Sequence, residues 1–471
     1  MRQLPHPRCS FERGWQIRSL QQAGTMTSLE RRLCRWQEPA MLAKQLTNTW
    51  GEAGLIWLDG DGSDLGRWAT LAVDPINQIC CRGIPGEKGA SNPFAALRDL
   101  EPGHWTGWLS YEAAAWIEPK NPWKADSMAT LWMARHDPIL RFDLQKRQLW
   151  IEGCHPKRLQ ELANWLEANP SEDAPKSSKD EPLLATTDLK IPVNAWEWLT
   201  TRADYARDVQ QIRHWIASGD IFQANLSACC TTTIPSGSFA VDLFLKLRHH
   251  NPAPFAGLVI AAGLAKGEAV ISASPERFLK ALPTGEVETR PIKGTRPRHP
   301  NQSQDADLAA DLVCSSKDRA ENVMIVDLLR NDLGRVCQPG SITVPQLVGL
   351  ESYPHVHHLT SVVQGRLRSD QSWVDLLQAC WPGGSISGAP KLRACQRLNE
   401  LEPTARGPYC GSLLHLNWDG QLDSSILIRS MLLEGNTLRA HAGCGIVTGS
   451  DPYCEADELN WKLLPLLEAL Q

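Results

Sequence analysis

Four cations occupy nine consecutive positions within TRPIKGTRPR, residues 289–298. In an extended segment alternate side chains lie on opposite faces, so Lys293 is expected to face away from Arg290 and Arg296. Burial and nearby positive charge both favour the neutral amine and lower the pKa of a lysine from about 10.4. Lys293 is therefore a candidate nucleophile, although these ten residues alone are more typical of a solvated basic loop.

Composition and charge indicate the general class of the protein. The 471-residue chain is 42% hydrophobic and 21% charged, which is typical of a soluble globular protein. Its formal net charge of −5 argues against a nucleic-acid binder, because no excess of Lys and Arg remains to displace counterions. No apolar run approaches the roughly 18 residues of a membrane span.

The N-terminal stretch and the cysteines bear on processing and location. Residues 1–36 contain several arginines but no apolar stretch of a secretory signal, so we expect a leader there. A disordered leader and a translation start at Met26 both stay open as interpretations. The 14 cysteines include no C-x-x-C pair, which argues against a zinc knuckle or a redox pair. We expect reduced thiols in a cytoplasmic protein.

The sequence pattern predicts three regions after the leader: an N-terminal lobe at 37–168, a linker at 169–190 and a catalytic region at 191–471. The lobe is rich in tryptophan among short apolar runs, which is typical of antiparallel strands, whereas the linker is rich in Pro, Ser and charge. Apolar periodicity predicts helices at 204–219, 305–332 and 452–470. Strand-like runs include 257–261, 269–272, 425–429 and 437–440.

Two pairs of carboxylates lie on predicted helices. Asp318 and Glu321 are three residues apart, as are Glu455 and Glu458, so each pair projects from one helix face. Lys462 continues the second stripe. Oxygen ligands from two converging helices suit Mg²⁺ bridging to an anionic substrate. The alternative is two solvated faces held by ion pairs of Lys317 with Glu321 and of Glu458 with Lys462.

Two glycine-rich turns offer places where backbone can approach a ligand. Residues 382–391 read PGGSISGAPK and lead into a helix, with Pro390 predicted in its first turn. Free N–H groups there suit a carboxylate or a phosphate. Arg429 could clamp such a carboxylate and Tyr409 could donate a hydroxyl. The second turn, 443–445, contains Cys444, which we interpret as a small buried thiol.

Taken in order, these pieces resemble the chorismate-utilising enzymes over roughly residues 200–465. The resemblance is carried by the following motifs: GDIFQANLS at 219–227, SPER at 274–277, TRPIKGTRPR at 289–298, KDRAEN at 317–322, DLLRND at 327–332, HL at 358–359, the turn at 383–391, GPYCG at 407–411, IR at 428–429, GCG at 443–445 and EADE at 455–458.

The resemblance implies an α+β fold of two large facing antiparallel β-sheets flanked by helices, with the active site between the sheets. It also implies roles for site residues, with chorismate as substrate and Mg²⁺ as cofactor. Glu321 and Glu458 would be direct Mg²⁺ ligands, with Glu455 and Asp318 beside them. The substrate would be bound by Tyr409, Arg429, Gly443, Gly445 and Lys462 at its carboxylates and by Ser385 and His358 at its ring. Glu276 would act as general acid near the C4 hydroxyl.

The resemblance assigns a branch of the family through position 293. Enzymes similar to anthranilate synthase carry a small residue there, and isochorismate or salicylate synthases carry a base lysine where this chain has Gln223. Lys293 together with Gln223 looks like the aminodeoxychorismate branch. In that branch the neutral lysine attacks C2, the C4 hydroxyl leaves with help from Mg²⁺ and Glu276, and ammonia then enters at C4 and expels the lysine.

The same resemblance implies a partner and shows two departures. No Gly-x-Cys-x-Gly elbow of a glutamine amidotransferase is present, so a separate glutaminase subunit would supply ammonia. Cys229 stands where the family commonly has Arg, so one supporting ion pair is expected to be missing. Residues 55–60 do not reproduce the Leu-Glu-Ser motif that binds inhibitory tryptophan in the anthranilate branch. Control by tryptophan is therefore not supported.

Overall fold

The computed structural model describes residues 28–170, 189–235, 237–353 and 356–471. Most of the predicted leader and of the predicted linker lies outside these residues. The described end of the leader contains a strand, Glu30–Cys34, which pairs with Gln148–Gly153 in antiparallel fashion. The sheet structure therefore begins before residue 37.

Strands and helices alternate irregularly along the described chain. The strands are β1 Glu30–Cys34, β2 Ile56–Asp59, β3 Trp68–Ala72, β4 Asn77–Cys81, β5 His104–Leu109, β6 Leu131–His136, β7 Ile139–Asp143, β8 Gln148–Gly153, β9 Glu197–Trp198, β10 Gln223–Thr233, β11 Phe255–Ile260, β12 Glu268–Ser274, β13 Arg277–Ala281, β14 Glu286–Thr289, β15 Ile292–Pro297, β16 Thr343–Ser352, β17 Val356–Arg366, β18 Gly388–Ala389, β19 Ser412–Leu416, β20 Leu422–Ile426, β21 Ser430–Glu434 and β22 Thr437–Ile446. The α-helices are α1 Pro39–Trp50, α2 Pro93–Arg98, α3 Pro156–Ala168, α4 Arg202–Ala217, α5 Ala240–His250, α6 Gln302–Cys314, α7 Ser316–Gly334, α8 Trp373–Cys380, α9 Lys391–Leu401 and α10 Pro452–Glu468.

The strands form two large antiparallel sheets, as the predicted α+β fold requires. The 12-stranded sheet runs β1-β8-β7-β3-β2-β11-β12-β21-β22-β10-β18, with β9 also paired to β10. The 10-stranded sheet runs β15-β17-β14-β13-β20-β19-β5-β6-β4, with β16 also paired to β17. Each sheet takes strands from both sides of residues 169–190. The predicted fold class is confirmed.

Alternating side chains of the larger sheet belong to two separate hydrophobic cores. Trp57 and Leu258 join a cluster with residues of α1, α4, α5 and α10, whereas their neighbours Ile56 and Val259 join a cluster with residues of the smaller sheet. This is the period of two that a strand covered on both faces requires. The sheets meet closely at Gly257, where a Cβ would lie 2.8 Å from Leu413 Cδ1.

The helix predicted at 305–332 is wrong as a single element. It is two helices, α6 and α7, joined at Ser315, whose backbone is extended and whose hydroxyl accepts from Asp318 N at 3.2 Å. A serine at an N-cap position satisfies an otherwise unpaired N–H and starts a new helix. The other two predicted helices correspond to α4 and α10.

Three local predictions are corrected. The strand predicted at 425–429 ends at Ile426 in β20, and Arg429 lies in the bend between β20 and β21 with φ of +52°. Pro390 is the N-cap residue of α9 rather than part of its first turn. Strict alternation fails at Lys293, because the pairing of β15 with β17 shifts register between Ile292 and Thr295.

The structure also bears on the predictions about the cysteines and about membrane spans. All cysteines among the described residues are free thiols, and most of them are buried. No helix within the described ranges combines the length and apolar character required to cross a bilayer.

Candidate active site

Lys293 lies at the irregular point of β15, beside α7. Gly294 has φ of +89°, and a Cβ at this glycine would lie 2.9 Å from Asp318 Cβ, so only glycine fits between strand and helix. The Lys293 amine donates to Ser385 O at 3.2 Å. The β15 irregularity therefore directs the amine to the glycine-rich turn rather than along the sheet.

Removal from water lowers the pKa of the Lys293 amine below its ordinary value. Glu321 and Glu276 oppose this effect, and the positive charge of Lys462 adds to it. The sequence pattern also predicted that neighbouring arginines lower the pKa of Lys293, and this prediction is wrong. Arg290 pairs with Glu351 at 2.6 Å and Arg296 with Asp311 at 2.7 Å, so carboxylates compensate both charges.

Glu276 lies on the other side of Ser385. Ser385 Oγ donates to Glu276 Oε1 at 2.8 Å, while the Ser385 carbonyl accepts from Lys293. Burial raises the pKa of Glu276 to about 7, against the opposing effects of the Ser385 hydrogen bond and the Lys293 charge. One serine thus connects an amine whose pKa is lowered to an acid that is half protonated near neutral pH.

The four predicted metal-binding carboxylates come from α7 and α10. Ligand atoms of Glu455, Glu458 and Cys444 lie within 4.8 Å of one another. Glu321 Oε1 is buried and accepts no hydrogen bond, and burial raises the pKa of Glu321. Asp318 points towards β15, 3.6 Å from Arg296. A buried carboxylate oxygen that has no donor among the described residues, as in Glu321, fits a hard cation, and Glu321, Glu455 and Glu458 could hold one.

Two lysines lie against this acidic cluster. Lys317 approaches Glu455 at 3.6 Å rather than forming the alternative ion pair with Glu321. The Glu458–Lys462 ion pair is present at 2.8 Å. Lys462 also donates to Gly443 O at 3.0 Å, so this predicted substrate ligand is already engaged by the protein. Although burial opposes it, the nearby acids, including Glu458, raise the pKa of Lys462.

Arg429 differs from the lysines because it has no acidic partner. Within the described residues no hydrogen bond or ion pair involves its guanidinium, and burial lowers its pKa. Its charge in turn adds to burial in lowering the pKa of His358 to about 4, so His358 is neutral at neutral pH. His358 Nδ1 lies 2.9 Å from Thr295 Oγ1. Arg429 can therefore accept an anion from outside the chain.

The remaining predicted ligands line the same region from β22 and the loop before β19. Tyr409 stacks on His441 at a centroid distance of 4.9 Å. A Cβ at Gly443 would lie 3.3 Å from the Tyr409 hydroxyl, and one at Gly445 would lie 2.6 Å from Gln223 Nε2. Both glycines thus leave space next to polar side chains. The structure brings all thirteen predicted residues onto neighbouring elements; their roles stay predictions.

A buried arginine was missed by the sequence analysis. Arg406 donates to both carboxylate oxygens of Glu402, to Ile386 O at 2.8 Å and to Asn225 O at 2.6 Å. The four-residue spacing of Glu402 and Arg406 is the only sequence signal for this pair. At Cys229, the departure from the family pattern, a neighbouring ion pair of Arg439 with Asp126 is present at 2.6 Å.

Comparison with known proteins identifies the family of the chain. A family model described as chorismate binding enzyme matches residues 48–468. Aminodeoxychorismate synthase component 1 of Klebsiella aerogenes is 42% identical over 336 residues, covering 71% of this chain and 70% of the relative. Anthranilate synthase component 1 of Streptomyces coelicolor is 35% identical over 415 residues, covering 83% and 80%. The crystal structure of anthranilate synthase component I from Streptococcus pneumoniae TIGR4 matches with a TM-score of 0.70 and 28% identity, covering 85% and 92%.

Proposed function

The chain belongs to the chorismate-binding enzymes, and we propose that it is component I of an aminodeoxychorismate synthase. The reaction joins chorismate and ammonia to give 4-amino-4-deoxychorismate, for p-aminobenzoate and folate synthesis. The observation that carries this proposal is the chain of contacts from Lys293 through Ser385 to Glu276. It brings a nucleophile and a proton donor into contact with the same serine, and substitution on a ring requires both groups.

Lys293 acts as the nucleophile in its neutral form. The bond from Nζ to C2 forms while the two ring double bonds shift and the C4–O bond breaks. Glu276 gives its proton to the departing oxygen, which leaves as water, and takes a proton from the adduct nitrogen. Burial of both groups supports these roles, because it lowers the pKa of Lys293 and raises that of Glu276 to about 7.

Ammonia completes the reaction at C4. The C4–N bond forms, the double bonds shift back and the electron pair of the C2–Nζ bond returns to Lys293. The amine takes the proton that the incoming nitrogen gives up. The chain is thereby regenerated, and an attack at C2 leads to a product substituted at C4.

Substrate acid groups are bound by Arg429 and by the acidic cluster. Arg429 is a partly buried cation that has no counter-charge among the described residues, which favours a bidentate contact with a carboxylate. Glu321, Glu455 and Glu458 would hold Mg²⁺, with Asp318 beside them. When bound, the ion supplies positive charge that grips one carboxylate of chorismate and assists departure of the hydroxyl.

A glutaminase subunit would supply ammonia as the partner of this chain. The relative from Klebsiella aerogenes is named component 1, which supports a second component. Pull-down with a glutaminase subunit, followed by a glutamine-dependent assay, tests this part of the proposal. Amination driven by glutamine without any added subunit would contradict it.

Anthranilate synthase is the second candidate, since a relative of that name covers more of the chain. In that branch a small residue is expected at position 293, and no side-chain nucleophile is needed. The buried amine at this position therefore favours substitution at C4. A chain that binds chorismate without turnover is disfavoured, because the acids, Lys293 and Arg429 are all present.

Product analysis of the purified chain with chorismate, Mg²⁺ and ammonium tests the proposal. We expect the 4-amino compound; anthranilate as the main product would contradict the assigned branch. Lys293→Ala should reduce the rate roughly 1000-fold or more while chorismate binding, measured by calorimetry, is retained. Lys266→Ala, at an exposed position, is the matched control and should leave the rate unchanged. An undiminished rate in Lys293→Ala would make the lysine merely structural.

A further inference from the structure

Cys444 brings a thiol to the edge of the acidic cluster. It lies in β22 between Gly443 and Gly445 and is fully buried, at 0% exposure. Its Sγ lies 3.6 Å from the backbone oxygen of Glu455, so the side chain is directed at the first turn of α10. Ligand atoms of Cys444, Glu455 and Glu458 all lie within 4.8 Å of one another. A sulfur donor therefore lies beside two of the predicted Mg²⁺ ligands.

This set of donors suits a different class of ion from Mg²⁺. Thiolate sulfur is not a ligand that Mg²⁺ prefers, whereas zinc and the softer transition metals bind it strongly. Zinc bonds of about 2.0–2.3 Å place the neighbouring ligand atoms of a tetrahedral site roughly 3.5 Å apart. Because the three ligand atoms already lie within 4.8 Å of one another, movements of about 1 Å bring them to that spacing. Three protein ligands leave one position of the ion for water.

Glu455 is a buried carboxylate without a hydrogen-bond donor. It is 4% exposed, and no hydrogen bond reaches its carboxylate from the described residues. Lys317 approaches it at 3.6 Å, which is longer than a hydrogen bond, and the Lys317 side chain is 54% exposed. Buried carboxylates are normally paired closely or coordinate a metal. The unused capacity of Glu455 therefore indicates a cation that the chain does not contain.

The ammonium of Lys462 occupies the position that such a cation would take. It lies 2.8 Å from Glu458 Oε1, 3.6 Å from Cys444 Sγ and 3.0 Å from Gly443 O. A positive group thus already bridges the thiol and one carboxylate. The side chains of Lys462 and Glu458 are 41% and 43% exposed, so the ammonium can move into water and open a path to the cluster.

We propose that Cys444, Glu455 and Glu458 form a binding site for a thiophilic divalent cation of the zinc class, which shares two ligands with the predicted Mg²⁺ site and adds sulfur. The ion displaces the Lys462 ammonium, and the thiol gives its proton to water as the bond from Sγ to the metal forms. Burial raises the pKa of the Cys444 thiol to about 11, so the thiol keeps its proton until a dication binds.

Occupation of this site stops the proposed reaction in two ways. The ion takes Glu455 and Glu458 away from Mg²⁺, so the two ions exclude each other. It also moves Lys462, a predicted ligand of a substrate carboxylate, out of its place. Inhibition by zinc-class cations is the expected result. This consequence rests on the proposed function, whereas binding of the cation does not.

Spectroscopy with Co²⁺ on the full chain, without Mg²⁺ or substrate, tests the site. Co²⁺ accepts the same ligands as zinc, and its bond to a thiolate gives a charge-transfer band in the near ultraviolet. We expect this band in the wild type and its suppression by excess Mg²⁺. Cys444→Ser should abolish the band and raise the Kd for Zn²⁺, measured by competition with a chromophoric chelator, at least about 100-fold. Cys314→Ser and Cys454→Ser, which change exposed thiols, are the matched controls and should keep the band.

Lys462→Met gives a second measurement, because a gain in affinity cannot come from misfolding. Removal of the competing ammonium should lower the Kd for Zn²⁺ about tenfold. A band that is absent from the wild type, persists in Cys444→Ser or is lost in Cys454→Ser would overturn the site, as would an unchanged or higher Kd in Lys462→Met. No substrate is present, so a wild-type chain that binds Co²⁺ as expected but makes no 4-amino product would overturn only the proposed function.

Discussion

Two arginines near the candidate site, the buried Arg406 and the partly buried Arg429, differ in how their charge is compensated. Arg406, 1% exposed, uses its guanidinium on Glu402 and on the carbonyls of Ile386 and Asn225. Arg429 has no such partner among the described residues, and burial lowers its pKa. Although burial acts in the same direction on Arg406, Glu402 raises the pKa of Arg406 well above its ordinary value.

The difference separates scaffold from binding site. Arg406 contacts three parts of the chain: β10, the turn that carries Ser385, and the segment after α9. Its guanidinium therefore holds these three parts together. The charge of Arg429 is left for an anion that the chain does not contain. Charged groups that are fully hydrogen-bonded support structure, whereas those left incomplete bind ligands.

The largest expected effect is on stability, from Arg406→Met. This change leaves the Glu402 carboxylate buried without its cation, so we expect a loss of about 3–5 kcal/mol in the free energy of unfolding. Chemical denaturation measures it. Arg207→Met, which removes an exposed ion pair with Asp204, is the control and should change stability by less than about 0.5 kcal/mol. Similar small losses in the free energy of unfolding for both variants would mean that Arg406 does not stabilise the fold.

The next effect is on catalysis, from Arg429→Gln. Loss of a bidentate partner for a substrate carboxylate should reduce kcat/KM for chorismate about 100-fold. The free energy of unfolding should stay the same or increase, because a dehydrated charge is removed. Kinetics and denaturation on the same sample measure both quantities. A loss of stability comparable to that of Arg406→Met would remove the contrast between the two arginines.

A smaller effect is expected from filling the space that Gly445 leaves between the side chains of Gln223 and Glu321. The Cβ of Gly445→Ala would approach Gln223 Nε2 at 2.6 Å, so the amide must move, at a cost of about 1–3 kcal/mol. Gly449→Ala is the matched control, since nothing lies within 4 Å of a Cβ there. We expect lower activity and stability in the first variant only. Equal activity and stability of the two variants would show that the space beside Gly445 is needed for neither.

Periodicity in the sequence was sufficient for some elements and insufficient for others. The apolar spacing of Val209 and Ile212 predicted α4, and that of Leu459 and Leu463 predicted α10, because one buried face follows directly from a 3.6-residue period. The break at Ser315 was missed, since apolar positions continue on both sides of it. The extended backbone of Ser315 and its capping hydrogen bond from Asp318 N show that a new helix starts there.

The composition of the site was predictable from motifs, whereas its electrostatics were not. Lys293 was expected to respond to Arg290 and Arg296, which lie close to it in the sequence. The structure pairs both arginines with carboxylates and brings Lys462 into range from α10. The contact of Ser385 with both Lys293 and Glu276 joins residues more than 90 positions apart. Such contacts depend on the pairing of sheets and helices, which spacing along the chain does not encode.

The last and smallest effect concerns pH. It contrasts Glu276, which has no cation in hydrogen-bond contact among the described residues, with Glu402, which is paired with Arg406. Because burial raises the pKa of Glu276 to about 7, its proton is available below that pH and is lost above it. The rate also depends on neutral Lys293, which increases with pH, so the two titrations oppose each other. Dividing wild-type rates by those of Glu276→Gln largely removes the lysine contribution, since both chains carry Lys293.

We expect that ratio to fall about twofold between pH 6 and 7 and about tenfold per unit well above pH 7, as a single carboxyl loses its proton. Rate measurements on both chains in one buffer series provide it. Lys266→Ala, used again as control, should follow the wild type throughout. A ratio that stays constant across this range would mean that Glu276 does not give a proton in the reaction, and that its burial serves only to fix Ser385.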